Sequence, residues 1–445
     1  MKWLLRAVLM PLAALMVLAA AWAWQLNYLD GVAIDEPRPE PGAHDTAALR
    51  ERGAYLAQAG NCMACHTAQG GKAWTGGRPF NTPFGTIYSG NITPDPDTGL
   101  GRWSAAAFWR ALHFGRSLDG HLLYPAFPYT HFTRITRDDS DALYAYLRGL
   151  PAVHADSPPH ELRWPYSTQG ALAVWRALYF RPGSFAPDPR QSADWNRGAY
   201  LVQGPGHCSA CHAPRDSLGG ADWMDFSGGM IPAQGWYAPS LIDPREAATT
   251  ADTRAATARL LATGLTDNAV VTGPMAEVVF TSAQHLKAAD LKAMSDYLAT
   301  LPATATARGG AQAAERAAGP PQPALEQIGS LSRQGAKLYE QHCADCHGAD
   351  GRGVPSAYPA LAGNRAVTLP RLENLMQAVL YGGFAPATAG NPRPFGMPPF
   401  VMTLSNAEIA AVLSYIRGAW GNRAPEASLL QVHSARQQIR MDYTQ

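Results

Sequence analysis

Hydrophobic positions along the chain begin with one unbroken block. Lys2 and Arg6 precede an uncharged stretch from Ala7 to Leu29, whose strictly apolar part, Ala7 to Trp24, is 18 residues, or about 27 Å of helix. That length lies between the apolar segment of a secretory signal, about 7–15 residues, and a bilayer span of about 20. Ala21-Trp22-Ala23 would serve as a cleavage site. Trp22, Trp24 and Tyr28 cluster where an aromatic belt would meet the outer headgroups, with Asp30, Asp35 and Glu36 beyond them. The length rule favours an uncleaved anchor over residues 1–30, and either reading exports the rest of the chain.

After a spacer, Pro37 to Pro41, the pattern repeats. Arg52-Gly53-Ala54-Tyr55-Leu56 leads to Cys62-Met63-Ala64-Cys65-His66, and Arg197-Gly198-Ala199-Tyr200-Leu201 leads to Cys208-Ser209-Ala210-Cys211-His212. A looser copy, Gln334-Gly335-Ala336-Lys337-Leu338-Tyr339, leads to Cys343-Ala344-Asp345-Cys346-His347. The copies start 146 and 135 residues apart, from 62 to 208 to 343, a spacing that suits one small domain each. Each closes with a helical segment ending in an aromatic-aliphatic pair: Tyr146-Leu147, Tyr297-Leu298 and Tyr415-Ile416. Thr136-x-x-Asp139 and Ser405-x-x-Glu408 read as helix starts of the capping-box kind.

The organisation predicted is therefore all-α: three tandem domains, at 44–151, 191–302 and 329–421, behind the N-terminal anchor or signal segment. An aromatic-rich connection occupies 152–190, with Trp164-Pro165-Tyr166 and Trp175-Arg176-Ala177-Leu178-Tyr179-Phe180 predicted to pack across the first two repeats. An Ala/Pro-rich linker covers 303–328, and a tail covers 422–445. A β-rich fold is disfavoured because alternating runs of β-branched residues are few.

Composition narrows the class. The 445 residues are 47% hydrophobic and 16% charged, with 36 basic and 35 acidic side chains and a net charge of +1. Such a chain is globular and has no general pull toward polyanions, so a nucleic-acid role drops out. Gly 42 and Pro 36 exceed average usage and predict short helices joined by long ordered loops.

All six cysteines sit in the three pairs. In Cys-x-x-Cys-His the thiols lie one turn apart, the spacing that lets both add to the vinyl groups of one haem while the adjoining imidazole reaches the iron. A zinc site would want four ligands in two separated pairs. A thioredoxin-like pair would need a βαβ context. A disulfide framework leaves the histidines unexplained. The expectation is three covalently bound haem c groups, on Cys62/Cys65, Cys208/Cys211 and Cys343/Cys346, with His66, His212 and His347 as proximal ligands.

Iron held by histidine usually takes methionine or a second histidine opposite, and methionine raises the potential. The third repeat offers Met397 in Phe395-Gly396-Met397-Pro398-Pro399-Phe400, 50 residues after His347, with Met402 as runner-up. The second offers Met275 in Gly273-Pro274-Met275, 63 residues after His212, while Met294 is read as packing in the closing helix. No methionine occurs between Met63 and Met224, so the first iron draws on His113, His121 or His131. His131, 65 residues after His66 and behind the stiff Pro125-Ala126-Phe127-Pro128-Tyr129, is favoured over His121 at 55. A lower potential at the first haem follows.

These residues resemble the membrane-anchored three-haem cytochrome c subunits of bacterial periplasmic dehydrogenases. The likeness runs from about Leu49 to Trp420. It rests on Asn91-Ile92-Thr93-Pro94-Asp95, Thr98-Gly99-Leu100-Gly101 with Trp103, Asp119-Gly120, Leu123-Tyr124-Pro125, Gly206-His207-Cys208, Cys211-His212-Ala213-Pro214-Arg215 and Met397-Pro398-Pro399-Phe400. Phe127 stands where alcohol and gluconate members have methionine before Pro-Tyr. The Pro125 to Phe132 string is similar to subunits paired with molybdenum hydroxylases, a likeness that supports His131. Ser240-Leu241-Ile242-Asp243-Pro244 departs from the Asn-Leu-Thr-Pro-Asp string expected in the second repeat.

The resemblance implies an electron-transfer subunit at the periplasmic face of the bacterial inner membrane. It would take electrons from a molybdenum-, PQQ- or flavin-dependent dehydrogenase large subunit and pass them to quinone or a terminal oxidase. No acid-base or nucleophile constellation is legible. Arg102, Arg110, Arg116 and Arg134 are candidate partners of haem propionates, which would move the net charge to about −5. Two rival readings stand beside this one: a haem enzyme, peroxidase or small-anion reductase, with an open first iron, and a haem subunit of a terminal oxidase.

Overall fold

The computed structural model describes residues 46–302 and 330–442, apart from Ser356, together with Met10, Val17, Leu18, 21–25 and Asn27. Most of the expected leader at 1–30, the spacer, the linker at 303–328 and the last three positions lie outside the described residues. No helix among the described residues is long and apolar enough to cross a membrane. The chain divides into two compact units, Met1–Pro187 with Gln203–Ala210 and Arg215–Trp223, and Asp188–Val202 with Cys211–Pro214 and Met224–Gln445.

In the first unit, α1 (Ala47–Ala59) starts at Thr46, whose hydroxyl accepts from the Leu49 amide at 3.2 Å. A hairpin follows: β1 (Pro79–Thr82) pairs antiparallel with β2 (Gly85–Tyr88), Phe80 facing Ile87 and Asn81 facing Thr86. Next come α2 (Ala105–Phe114), capped by Ser104 and ended by left-handed Gly115, and α3 (Arg137–Arg148). The Thr136 hydroxyl accepts from Asp139 N at 3.3 Å and the first turn of α3 is acidic, so orphan amides and helix dipole are both served. β3 (Glu161–Leu162) joins β2 as the third strand and α4 (Gln169–Tyr179) follows.

The core of this unit gathers Leu56, Phe108, Leu112, Phe132, Leu143 and Leu147, each such side chain contributing about 1.5–3 kcal/mol by leaving water. It closes where α1 crosses α3: a Cβ on Gly53 would lie 1.9 Å from the Ala142 carbonyl oxygen. Only glycine permits that approach. Arg52 on α1 clasps buried Asp139 on α3, Nε to Oδ1 at 2.6 Å.

The second unit contains the same crossing twice. Its helices are α5 (Ala193–Gln203), α6 (Arg254–Thr263), α7 (Gly273–Thr281), α8 (Ala288–Leu298), α9 (Ser330–His342), α10 (Glu373–Tyr381), α11 (Asn406–Gly418) and α12 (Leu429–Asp442). Gly198 of α5 meets Ala293 of α8 at 1.9 Å by the same measure, and Gly335 of α9 meets Ala411 of α11 at 2.1 Å. Arg197 clasps Asp290 through two bonds of 2.9 and 2.7 Å, as Arg52 clasps Asp139. α11 starts with a complete capping box: the Ser405 hydroxyl accepts from Glu408 N, and Glu408 accepts from Ser405 N at 2.8 Å. Tyr339, Leu380, Ile409 and Leu413 centre the core around α9, α10 and α11.

The helical expectation holds with one amendment, because short antiparallel ladders punctuate the loops in both units. The β2–β3 contact needs Gly85, at φ 127, whose Cβ would sit 2.1 Å from the Glu161 carbonyl oxygen. Two-residue pairings of this kind leave no alternating run long enough to read in a sequence.

Candidate haem centres

Each attachment motif forms a helical turn. α1 stops at Gly60, left-handed Asn61 (φ 51) redirects the chain, and Cys62–Cys65 makes one turn with His66 as its cap. Ser209–His212 and Ala344–His347 are the corresponding turns. Residues three apart share a helix face, so each pair of thiols is presented together. All six are free. Burial, with Cys65 adding, pushes the Cys62 thiol up to about 12. Burial, with Cys346 adding, pushes Cys343 up to about 11. Thiols held neutral at Cys62 and Cys343 suit an uncharged thioether better than a thiolate metal site.

The three histidines are held alike. Nδ1 of His66 lies 2.7 Å from the Gly90 carbonyl, Nδ1 of His212 lies 2.6 Å from that of Pro239, and Nδ1 of His347 lies 2.9 Å from that of Pro359. A carbonyl only accepts, so each Nδ1 carries the hydrogen and each Nε2 keeps its lone pair for a metal. Burial lowers all three pKa values against the opposing pull of these bonds, and the rings stay neutral at pH 7. Two thiols beside a histidine with a free Nε2 form the donor set of covalent haem, and the residues fit that group in all three turns.

A glycine completes each grip, and sequence reasoning missed it. The amides of Gly76, Gly228 and Gly353 donate to the carbonyls of His66, His212 and His347 at 2.8, 2.8 and 2.7 Å. All three have positive φ (75, 88 and 63), and a Cβ there would strike the backbone at Gly90, Ser240 or Pro359. The glycine thus ties the histidine's main chain to the loop that holds its ring. These glycines follow their histidines by 10, 16 and 6 residues, so no common spacing exposes them.

The departure at Ser240 preserves the loop. Asn91 Oδ1 accepts from Thr93 N at 2.9 Å. Ser240 Oγ accepts from Ile242 N and Asp243 N at 3.2 and 3.0 Å, the same turn made with a hydroxyl. Pro239 thereby presents its carbonyl to His212 just as Gly90 does to His66.

Among the sixth-ligand candidates, Met275 sits in the first turn of α7 against the cluster of Val271, Ala276, Val279 and Ala283. Met397 lies in the short strand Gly396–Met397, partly buried against the core around Ile409. Met294 is 6% exposed and packed in α8, while Met402 is 93% exposed. His131 is buried in the turn Tyr129–Phe132, and burial, with His207, Arg215 and Arg134 adding, pushes it down to about 3. Its ring meets the second motif: Nε2 lies 2.9 Å from Ser209 Oγ and Nδ1 lies 3.0 Å from Thr130 Oγ1. Since the Ser209 hydroxyl donates to the Trp223 carbonyl, its oxygen accepts from His131 Nε2. His121 is half-exposed beside Asp119 and Ser117, and His113 stacks on Trp109 at 4.3 Å.

The arginines separate into two groups. Arg102 pairs with Asp97 at the surface, and Arg116 donates to the Gly120 carbonyl. The Nε atoms of Arg110 and Arg134 are buried with no hydrogen-bond partner among the described residues, although Arg110 also reaches the Leu118 carbonyl and Arg134 lies 4.0 Å over Trp223. A buried orphan donor suits a carboxylate such as a haem propionate.

Comparison with known proteins agrees with this geometry. The family model described as cytochrome c matches residues 50–151 and 332–420. The chain is 39% identical over 438 residues to a nicotinate dehydrogenase subunit of Pseudomonas putida, covering 95% of this chain and 34% of that protein. It is 38% identical over 388 residues to the cytochrome c subunit of the quinone alcohol dehydrogenase of Komagataeibacter europaeus, covering 85% and 82%. With the gluconate 2-dehydrogenase cytochrome c subunit of Pantoea cypripedii it shares 36% over 393 residues, covering 85% and 87%. The chain thus spans about a third of the nicotinate dehydrogenase subunit and most of the other two.

Proposed function

We propose, from the premise that this chain belongs to the family of cytochrome c subunits of dehydrogenases, that it is an electron-transfer subunit receiving electrons from a partner dehydrogenase subunit. It carries covalently bound haem c, whose iron supplies one-electron redox chemistry when bound. The number of haems is three in this reading. The observation that carries it is the threefold grip on histidine: a carbonyl on Nδ1, a positive-φ glycine on the main chain, and two thiols alongside.

The chain's own residues have defined tasks. Cys62 and Cys65, Cys208 and Cys211, and Cys343 and Cys346 hold the groups covalently, and His66, His212 and His347 direct Nε2 at iron. Met275 and Met397 serve as sixth ligands in the second and third domains. His131 is the candidate for the first, and ligation there requires Nε2 to exchange Ser209 for iron while Nδ1–H turns to Thr130. Arg110 and Arg134 neutralise propionates. The three glycine crossings support three domains at 44–151, 191–302 and 329–421, although the described residues gather into two compact units.

The remaining assignments extend the same reading. The segment at 1–30 anchors the subunit at the periplasmic face of the bacterial inner membrane. The partner is a molybdenum-, PQQ- or flavin-dependent large subunit, and quinone or a terminal oxidase takes the electrons. The similarity to the nicotinate dehydrogenase subunit of Pseudomonas putida favours a partner acting on an N-heterocycle.

The test is to purify the native complex, identify its large subunit, and record which substrate reduces the haems. Porphyrin on peptides containing Cys62, Cys208 and Cys343 is the expected digest, and bare thiols there would overturn the reading. His131→Ala against His121→Ala assigns the first iron, since the ligand variant turns one haem high-spin.

A further inference from the structure

The aromatic-rich connection has no task in the haem centres, yet α4, which lies in it, breaks the pattern of a surface helix. Leu172, Arg176 and Ala177 are buried on its inner side. The outer side carries Gly170, Val174 and Leu178, four residues apart and so in one stripe. Val174 is 49% exposed and Leu178 48%. Arg176 is the one charged residue of the helix, and it is turned inward. A helix facing water carries polar and charged residues on its outer side, whereas α4 presents aliphatic ones. Apolar side chains are exposed next to it as well. Trp164, 82% exposed, stands in the turn that leads into α4, and Leu218 is exposed where its carbonyl accepts from the Trp175 indole at 3.0 Å. An apolar surface of this kind marks a face that something covers.

The chain's own N-terminal segment indicates the cover. Asn27 follows the apolar stretch that ends at Trp24, and it is fastened to α4 and its neighbours by side chain and main chain together. Its Nδ2 donates to the carbonyls of Ala173 and Ala23 at 2.9 and 2.7 Å, its Oδ1 accepts from Arg176 Nε at 2.8 Å, and its carbonyl accepts from Arg116. Both arginines are buried. Ala173 immediately precedes Val174 of the outer stripe. The end of the apolar segment is thus fixed to the helix whose outer side is apolar, and Trp22 and Trp24 are exposed at the same junction. A free tether would bring no particular face to a bilayer, but a pinned one brings this face to headgroup level, where aromatic and aliphatic side chains leave water for the acyl boundary. Charge agrees: positions 163 to 181 hold three arginines and no acidic residue. Arg163 before the helix and Arg181 after it are exposed, so their guanidinium groups suit anionic headgroups.

We propose that the outer side of α4, together with Trp164, is a membrane-contact surface that lies on a bilayer bearing anionic headgroups, beside the point where the N-terminal segment leaves it. The first unit then rests on lipid through α4. The proposal rests on the reading of 1–30 as an anchor and adds which face of the folded body meets the membrane.

The experiment places spin labels on the full-length holoprotein after Trp164→Cys, Val174→Cys or Leu178→Cys, and reconstitutes each into vesicles of phosphatidylethanolamine and phosphatidylglycerol. Glu51→Cys, at an exposed position of α1, is the water-facing comparison. Native cysteines bonded to haem take no label, so labelling of the unmutated protein would count against the haem reading alone. Collisions of each label with lipid-soluble oxygen and with a water-soluble nickel chelate are measured, the three sites being read independently on haem-replete protein. On vesicles, the labels at 164, 174 and 178 should meet oxygen several-fold more often and nickel several-fold less often than the label at 51. Labels as open to nickel as the comparison, on protein that sediments with the vesicles, would overturn the proposal and leave the anchor reading standing. Labels shielded from both reagents, or shielded only when the dehydrogenase subunit is present, would also overturn it, because protein then covers the face. A mature chain beginning beyond Ala23 would refute the anchor reading by itself. If that chain still binds vesicles with its labels in lipid, the proposal stands, and if it stays in solution, the proposal falls with the anchor.

Discussion

Gly198 meets Ala293 so closely that a Cβ on the glycine would lie 1.9 Å from the alanine carbonyl oxygen. The same approach joins Gly53 to Ala142 and Gly335 to Ala411. In each case an opening helix lies directly on a closing helix, and the attachment turn hangs from the end of the first.

Gly198→Ala should therefore separate α5 from α8 and destabilise the protein by about 1–3 kcal/mol or more through overpacking. Gly170→Ala in α4, where a Cβ meets nothing within 4 Å, should be neutral or stabilising by up to about 1 kcal/mol. Thermal unfolding of both variants separates the two effects. Equal midpoints would contradict the crossing.

At Gly228 an added methyl would lie 2.4 Å from Tyr237 Oη and 2.7 Å from Ser240 N, at φ 88. Gly228→Ala should disturb the Pro239 carbonyl that holds His212, shifting the midpoint potential of one haem and lowering stability by about 1–3 kcal/mol. Gly170→Ala, with open space at its Cβ and no part in holding a histidine, is the comparison and should leave the potentials in place. Redox titration of both variants reads the difference.

His113 gives a pH dependence. Burial, with Arg134 adding and the Thr133 carbonyl opposing, pushes it down to about 4. Unfolded histidine titrates near 6.5, so between the two values the unfolded chain binds more protons than the folded one. Stability is complete above about pH 6.5 and falls as pH drops toward 4, by on the order of 2–3 kcal/mol. His113→Phe should flatten that part of the profile in denaturant melts at pH 4.5 and 7, and an unchanged slope would refute the assignment.

Met397→His and Met275→His should each lower the potential of one haem while leaving covalent haem content intact, because imidazole favours ferric iron more than thioether does. Potentiometric titration of each variant should show one component moving down. A titration superimposable on that of the unmutated protein would exclude that methionine as a ligand.

Much of the site is legible in sequence because its covalent chemistry is local. Two thiols and an imidazole at i, i+3 and i+4 lie on one helical turn wherever the turn is placed. The starts of α3 and α11 are legible for the same reason, since Thr136 and Ser405 each cap an amide three residues on. Arg52–Asp139 and Arg197–Asp290 are not, because the partners are 87 and 93 residues apart and nothing local marks them. The spacing that singled out His131 did not disclose its bond to Ser209, which depends on how the chain returns at 203–210.

The sequence alone determined where the Cys-x-x-Cys-His strings lie, that this string occurs three times, and which helical segments precede and follow each copy, since each of those features is written within a few residues. The tertiary structure decided what holds each histidine and what lies beside each attachment turn. The carbonyls on His66, His212 and His347 come from 24, 27 and 12 residues away, and the glycines that brace them follow no shared interval. Loops of different length converge on one geometry because a buried ring N–H needs an acceptor, and the chain meets that need in space, whatever the distance along the sequence.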